Sequence, residues 1–362
     1  MDKFKDILNQ TRFSKQDIVA MLSASGDQQK LLFAKAKEVK EREVGKKVYY
    51  RGLVEFSNIC SKNCYYCGIR KGNGNVERFN LTDKQIIDAA LFAHESNYGS
   101  FVLQGGEISS PAFTQRIEDI LKEIKTLTKG ELGITISLGE QSDETYKRWF
   151  DAGAHRYLLR IEASNKELYA KLHPNNDLHS YKRRLECLKS LQKAGYQTGT
   201  GVMIALPFQT VEHLADDIIF MCDFDIDMVG MGPYIEHEDT PLYKHKNGLM
   251  PLIGRFDLAL RMIATLRIVM PDINIAAATA MQAIDPIGRE KAVRVGANII
   301  MPNITPGKYR NNYNLYNNKP CVDEEPQDCV QCLDVRIRLA DAFIGYGEWG
   351  DSKHFARRVV KV

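Results

Sequence analysis

Three cysteines fall within eight residues, in Cys60-Ser-Lys-Asn-Cys64-Tyr-Tyr-Cys67, with the spacing C-x3-C-x2-C. Three thiolates can hold three irons of a [4Fe–4S] cluster. Most such clusters take four cysteines, so a compact set of three leaves the last iron open to another ligand. Zinc fits less well: a structural zinc asks for a fourth Cys or His at similar spacing, and no histidine lies near. Disulfides belong to oxidising compartments. Residues 1–22 form a charged, amphipathic helical pattern without the apolar core of a signal peptide. The expected location is therefore the cytoplasm, where thiols stay reduced.

A second group, Cys321, Cys329 and Cys332, has the spacing C-x7-C-x2-C. It suits a second Fe–S cluster or a zinc, with a redox role or a purely structural one. Cys187 and Cys222 stand alone in helical-looking stretches and read as small buried hydrophobes.

The elements that must position these residues alternate. Apolar, β-rich runs occur at 48–57, 100–104, 133–138, 156–161, 197–205, 228–231, 274–278 and 298–301. Amphipathic helical segments lie between them, among them 82–97, 112–128, 180–194, 211–223, 255–269 and 286–295. Thr82 and Ser142 read as helix N-caps; Gly153, Gly195 and Gly296 read as C-cap glycines before the next strand. Eight strands alternating with helices predict a (β/α)8 barrel. An open doubly wound sheet is disfavoured, because no glycine-rich phosphate fingerprint follows the first strand. The expected division is an N-terminal helical extension (1–47), the barrel (48–302), and a C-terminal loop and helix with the second cysteine group (303–362).

Composition excludes other classes. The 362 residues are 26% charged and 44% hydrophobic, with a net charge of +3. That balance gives no footprint for nucleic acid or a membrane surface. No apolar run approaches the roughly 18 residues of a membrane span.

In a barrel the working residues sit where strands end and in the loops that follow. The cysteine loop follows strand one, and Tyr66 stands within it beside Cys67, where its ring or backbone could contact a ligand. Strand two ends in Gly105-Gly106-Glu107, where two glycines let backbone approach a ligand. On strand three, Thr135 and Ser137 share a face; on strand four, Arg160 and Glu162 do, with Ile161 opposite. A mutual salt bridge is the simpler account of that last pair. A ligand carrying both signs is the other, and Arg184 can reach the same ligand. Thr279, Met301, Tyr313 and Tyr316 lie near later strand ends and suit a small, partly apolar guest.

The cysteine loop with Gly105-Gly106-Glu107 one strand later resembles the radical S-adenosylmethionine (SAM) enzymes. Further motifs narrow the resemblance. They are Glu55-Phe56-Ser57-Asn58, Tyr66-Cys67-Gly68-Ile69-Arg70, Ser137-Leu138-Gly139-Glu140, Arg156-Tyr157-Leu158-Leu159-Arg160, Asp227 to Pro233, and Met301-Pro302-Asn303. Across almost the whole chain they resemble HydE, the radical SAM maturase family of [FeFe]-hydrogenase, a relative of biotin synthase and methylornithine synthase. The Cys321, Cys329, Cys332 spacing resembles a subset of that family and separates it from biotin synthase.

The resemblance implies anaerobic chemistry on a [4Fe–4S] cluster held by Cys60, Cys64 and Cys67. SAM is cleaved reductively to a 5′-deoxyadenosyl radical, which acts on a small or organometallic substrate during assembly of the hydrogenase diiron subcluster. It implies SAM contacts for Tyr66, Gly105, Gly106, Glu107, Ser137, Glu162 and Arg184. It places Arg160 with Thr135, Thr279, Met301, Tyr313 and Tyr316 around the substrate. Implied partners are the other hydrogenase maturases and an electron donor such as flavodoxin or ferredoxin. The chain departs from the family at Ile161-Glu162-Ala163, Ala278-Thr279, Pro207-Phe208-Gln209-Thr210 and Glu236-His237. Two alternatives stand beside this reading: a diverged enzyme of the biotin synthase or methylornithine synthase type, and a non-catalytic iron–sulfur scaffold.

Overall fold

The computed structural model describes residues 2–322 and 326–360, with the side chains of 327–332 outside that description. In chain order the strands are β1 Lys47–Ser57, β2 Ser100–Gly105, β3 Gly133–Ser137, β4 Arg156–Leu158, β5 Gln197–Thr200, β6 Met203–Ile204, β7 Met228–Pro233, β8 Asn274–Ala277, β9 Ile299–Ile300 and β10 Phe343–Ile344. β1, β2, β3, β4, β5, β7, β8 and β9 pair in that order, all parallel, and β9 returns to β1. The sheet therefore closes into the expected eight-stranded barrel. β6 continues β5 against β7, and β10 adds to the outer edge of β1.

Helices between strands cover the barrel, and their local sequence explains where they begin. Ser110 caps Pro111–Leu127 by accepting from Phe113 N, with proline in the first turn. That helix buries Phe113, Ile117, Ile120, Leu121 and Ile124 along one stripe. Thr82 and Ser142 cap helices as expected. Gly153, Gly195 and Gly296 end theirs at φ of 108°, 94° and 150°, backbone that disfavours side chains. Two helix starts differ from the sequence reading by more than one residue: Leu252–Val269 begins earlier than 255, and Gly288–Val295 later than 286.

The barrel floor, at the N-terminal ends of the strands, is closed by the C-terminal segment. Gly350 O accepts from Arg51 Nη2 at 3.1 Å and from Asn274 Nδ2 at 2.9 Å. Arg156, fully buried, reaches Trp349 O and the Asp351 carboxylate, and donates to Thr135 Oγ1 at 2.8 Å. The segment then enters the helix Lys353–Val360. There His354 stands between Asp225 (2.6 Å) and Asp272 (3.1 Å).

The hydrogen bond from His354 to Asp272, with that to Asp225, holds the imidazole's pKa up at about 9 against the effect of burial. A raised folded-state pKa stabilises while the group is charged in the fold. The contribution is complete below the free value of about 6.5 and disappears as pH rises toward about 9. Thermal midpoints should therefore decline across that window, and His354→Gln should flatten the decline. An identical slope in the variant would disprove the assignment.

Candidate active site

The cysteine loop leaves β1 at the opposite, C-terminal mouth of the barrel and is bound on several sides. Ser61 N donates to Glu107 O at 2.8 Å, Tyr65 N to Leu172 O at 2.9 Å, and Gly68 N to Leu315 O at 3.0 Å. Glu107 N donates to Cys60 Sγ at 3.3 Å. Gly106 makes this contact sterically feasible: a Cβ there would lie 2.2 Å from Ile59 O and 2.9 Å from Cys60 Cβ. The end of β2 thus lies directly on the cysteine loop.

The three cysteines are half-buried and free. Burial raises all three thiols, Cys64 up to about 12, with the Tyr66 hydroxyl acting in the opposite sense. Loading iron must displace those protons, as thiolate coordination does. Among the described residues, no three His, Cys, Asp or Glu side chains converge as ligands of a single ion would. Sulfurs on separate irons of a cubane need not converge on one point, so the donor set fits a cluster.

Beside the loop lies a charge network whose centre sequence reasoning missed. Lys62, between Cys60 and Cys64, is buried; its ammonium meets Glu107 Oε1 at 2.9 Å, Glu140 Oε2 at 2.8 Å, and Leu178 O. Arg184 joins Glu140 Oε1 at 2.6 Å through Nε and donates to Arg160 O at 3.0 Å. Its Nη2 stays 3.7 Å from Glu107 Oε2. Burial raises the Glu107 pKa against the pull of Arg184 and Lys62. At Glu140 burial acts upward too, but the same two cations outweigh it and lower the pKa. The signal that points to this network is a lysine set inside a metal loop, with Gly139-Glu140 closing the next strand.

Two histidines brace the same loop. His179 Nε2 accepts from Asn63 N at 2.8 Å, and its Nδ1 side faces Asn176 Oδ1 at 2.7 Å. His173 faces Tyr169 O at 2.9 Å through Nδ1 and the Tyr66 hydroxyl at 3.3 Å through Nε2. Burial lowers both, to about 4 and about 3, so both are neutral near pH 7.

Arg160 and Glu162 do meet, though not by strand parity, because β4 stops at Leu158. Glu162 turns into the left-handed region at φ 65°. Arg160 binds both its oxygens at 2.8 Å, and also reaches Gly230 O at 2.7 Å and Val202 O at 3.0 Å. Ser137 Oγ donates to Leu158 O at 3.0 Å. The Thr135 hydroxyl is engaged from the floor by Arg156.

Tyr313 is buried, with its hydroxyl 3.5 Å from Gln104 Nε2 and the Lys319 ammonium 5.0 Å from its ring. Lys319 binds both oxygens of the buried Glu55 at 2.6 Å. Tyr316 and Lys319 line a cavity of about 590 Å³ with His237 and several asparagines. Thr279 opens the helix Thr279–Ile284 after β8, and Met301 directly follows β9; both are partly buried. Cys321 sits at φ 63°, its sulfur 3.8 Å from Gln282 Nε2. The side chains of Cys329 and Cys332 lie outside the described residues.

The Radical SAM superfamily model matches residues 54–221. The "[FeFe] hydrogenase maturase subunit HydE" of Thermotoga maritima is 45% identical over 323 residues, 89% of this chain and 88% of that protein. This chain belongs to the HydE family. A 3-methylornithine synthase of Methanosarcina acetivorans is 26% identical over 83% of the chain and 82% of its own length. In structure, a methylornithine synthase superposes with a TM-score of 0.79 at 21% identity, over 95% of this chain and 97% of that one. HydG of Carboxydothermus hydrogenoformans does so at 0.78 and 19%, over 98% and 82%. The last two likenesses establish the fold. As a HydE-family member the chain is a radical SAM enzyme, with a [4Fe–4S] cluster and SAM as its cofactors. Among the described residues no helix is long and apolar enough to cross a membrane.

Proposed function

We propose that this enzyme serves assembly of the [FeFe]-hydrogenase diiron subcluster, acting on a small or organometallic precursor. The maturation role is supported by the 45% identity to the HydE of Thermotoga maritima, and the radical SAM chemistry by the junction at the barrel mouth, where Glu107 N–H meets Cys60 Sγ at 3.3 Å. This junction joins a three-cysteine loop to a strand end of the Gly-Gly-Glu type.

Cys60, Cys64 and Cys67 would hold the cluster, which when bound supplies the electron for reductive cleavage of SAM. Around it, Glu107 accepts the SAM ammonium and Arg184 faces the SAM carboxylate. Gly105 packs against the Phe56 ring and Gly106 against the cysteine loop, so in this reading both would serve SAM through their backbone, while Ser137, Glu162 and Tyr66 shape the rest of the pocket. Arg160 presents its guanidinium toward the substrate side, with Thr135, Thr279, Met301, Tyr313 and Tyr316 as the substrate lining. Cys321, Cys329 and Cys332 would hold a second cluster or a zinc. The partners in this reading are the other hydrogenase maturases and a flavodoxin- or ferredoxin-type donor, in the cytoplasm.

The test is anaerobic reconstitution followed by hydrogenase maturation with the other maturases supplied. The expected result is 5′-deoxyadenosine formation under dithionite and active hydrogenase only when this protein is present. SAM cleavage without any gain in hydrogenase activity would reject the maturation role and leave the radical chemistry standing.

A further inference from the structure

Lys62 is the one charged side chain inside the cysteine loop. Its side chain is only 6% exposed, yet its ammonium has three acceptors. Lysines are rarely buried unless paired, and here two carboxylates from different strand ends share one cation. The Lys62 ammonium lies 2.9 Å from a Glu107 oxygen and 2.8 Å from a Glu140 oxygen, so the lysine is paired on two sides. With Arg184 the cluster holds two cations and two anions and is neutral as a whole.

The two oxygens of Glu107 are used unequally. Oε1 meets the Lys62 ammonium at 2.9 Å, while the Arg184 guanidinium stays 3.7 Å from Oε2, beyond hydrogen-bond range. The same carboxyl group is packed against Gly139, where a Cβ would lie 2.2 Å from Glu107 Oε2. Lys62 therefore fixes one oxygen and leaves the other with acceptor capacity. Because Lys62 sits between Cys60 and Cys64, the orientation of Glu107 is tied to the conformation of the cysteine loop.

We propose that Lys62 is a positioning residue for SAM: it clamps Glu107 and Glu140 to the cysteine loop so that Glu107 Oε2 is aimed at the SAM ammonium. The inference rests on the assignment of Glu107 to the SAM ammonium under the proposed function. The Lys62 ammonium is taken up by Glu107, Glu140 and Leu178 O, and in this proposal it acts through Glu107. Arginine at this position keeps the charge but presents a planar fork in place of a compact ammonium, so it restores neutrality without restoring the geometry.

The experiment uses the full chain, reconstituted anaerobically, with SAM titrated against the electron paramagnetic resonance signal of the reduced cluster. Wild type should show a SAM-induced spectral change; if it shows none, the SAM assignment of the site falls and the role of Lys62 falls with it. Lys62→Met is expected to hold the same cluster iron as wild type yet need at least about tenfold more SAM, a difference of about 1.4 kcal/mol. Lys62→Arg should recover that affinity only in part. Unchanged affinity in a cluster-loaded Lys62→Met protein overturns the proposal. Should that variant fail to load iron, Lys62→Met combined with Glu140→Gln, which restores charge balance, decides. Iron restored with weak SAM binding supports the positioning role. Recovery of both, or of neither, reduces Lys62 to a charge filler or a folding residue and overturns it.

Discussion

Replacing any one of Cys60, Cys64 or Cys67 with alanine is expected to bring 5′-deoxyadenosine formation down to background. In the proposed site each thiolate is one of three anchors, and two would not keep the cluster with its fourth iron open for SAM. The fold should survive, because these side chains are partly exposed and sit in the loop after β1 rather than in a strand. Circular dichroism should thus stay native while the iron content drops. Changing Cys321, Cys329 and Cys332 together should lower iron while sparing SAM cleavage. Turnover that persisted in a loop variant would refute the assignment of the loop, and loss of turnover in the triple variant would make the second group essential to the chemistry.

Lys319→Met should destabilise the protein by roughly 3–5 kcal/mol, the range seen when one partner of a buried pair is removed. Glu55 is 2% exposed and Lys319's side chain 6%, so neither charge has water to fall back on. After the substitution the Glu55 carboxylate keeps, among the described residues, Asn303 Nδ2 at 3.1 Å as its side-chain partner. Adding Glu55→Gln should recover a large part of the loss, since the uncompensated charge is then gone. Denaturant unfolding of the two single variants and the double variant measures this as a coupling energy. Additive losses would show that the pair is not energetically coupled. The loop that contributes Tyr313 and Tyr316 is anchored by the same lysine, so substrate-dependent turnover should fall further than SAM cleavage alone.

The residues behind these two effects differ in how legible they are in the amino-acid sequence. The cysteine loop, Gly105-Gly106-Glu107 and the alternating strands are local patterns whose chemistry needs close spacing, and they fold as expected. Lys62 stands out as an odd charge in that loop, but its partners come from three other elements. Glu55 and Lys319 are 264 positions apart, and no period or spacing joins them. Alternation along a strand predicts that Arg160 and Glu162 are neighbours, and they are, but through a different cause. The strand ends at Leu158, and a left-handed turn at Glu162 makes the contact. Thr135 illustrates the converse. Its position on the inner face is legible, but the claim on its hydroxyl by Arg156 depends on a floor built by residues nearly two hundred positions later.

That floor bears on how the chain is made. Residues 343–352 leave the ribosome after all eight barrel strands have emerged, so a nascent barrel has Arg51 and Arg156 inside and no Gly350 or Asp351 to receive them. Until the tail is in place, Arg156 lacks the Asp351 carboxylate and Arg51 lacks the Gly350 carbonyl. Sealing of the hollow therefore waits on residues 343–352, which follow every barrel strand in the chain.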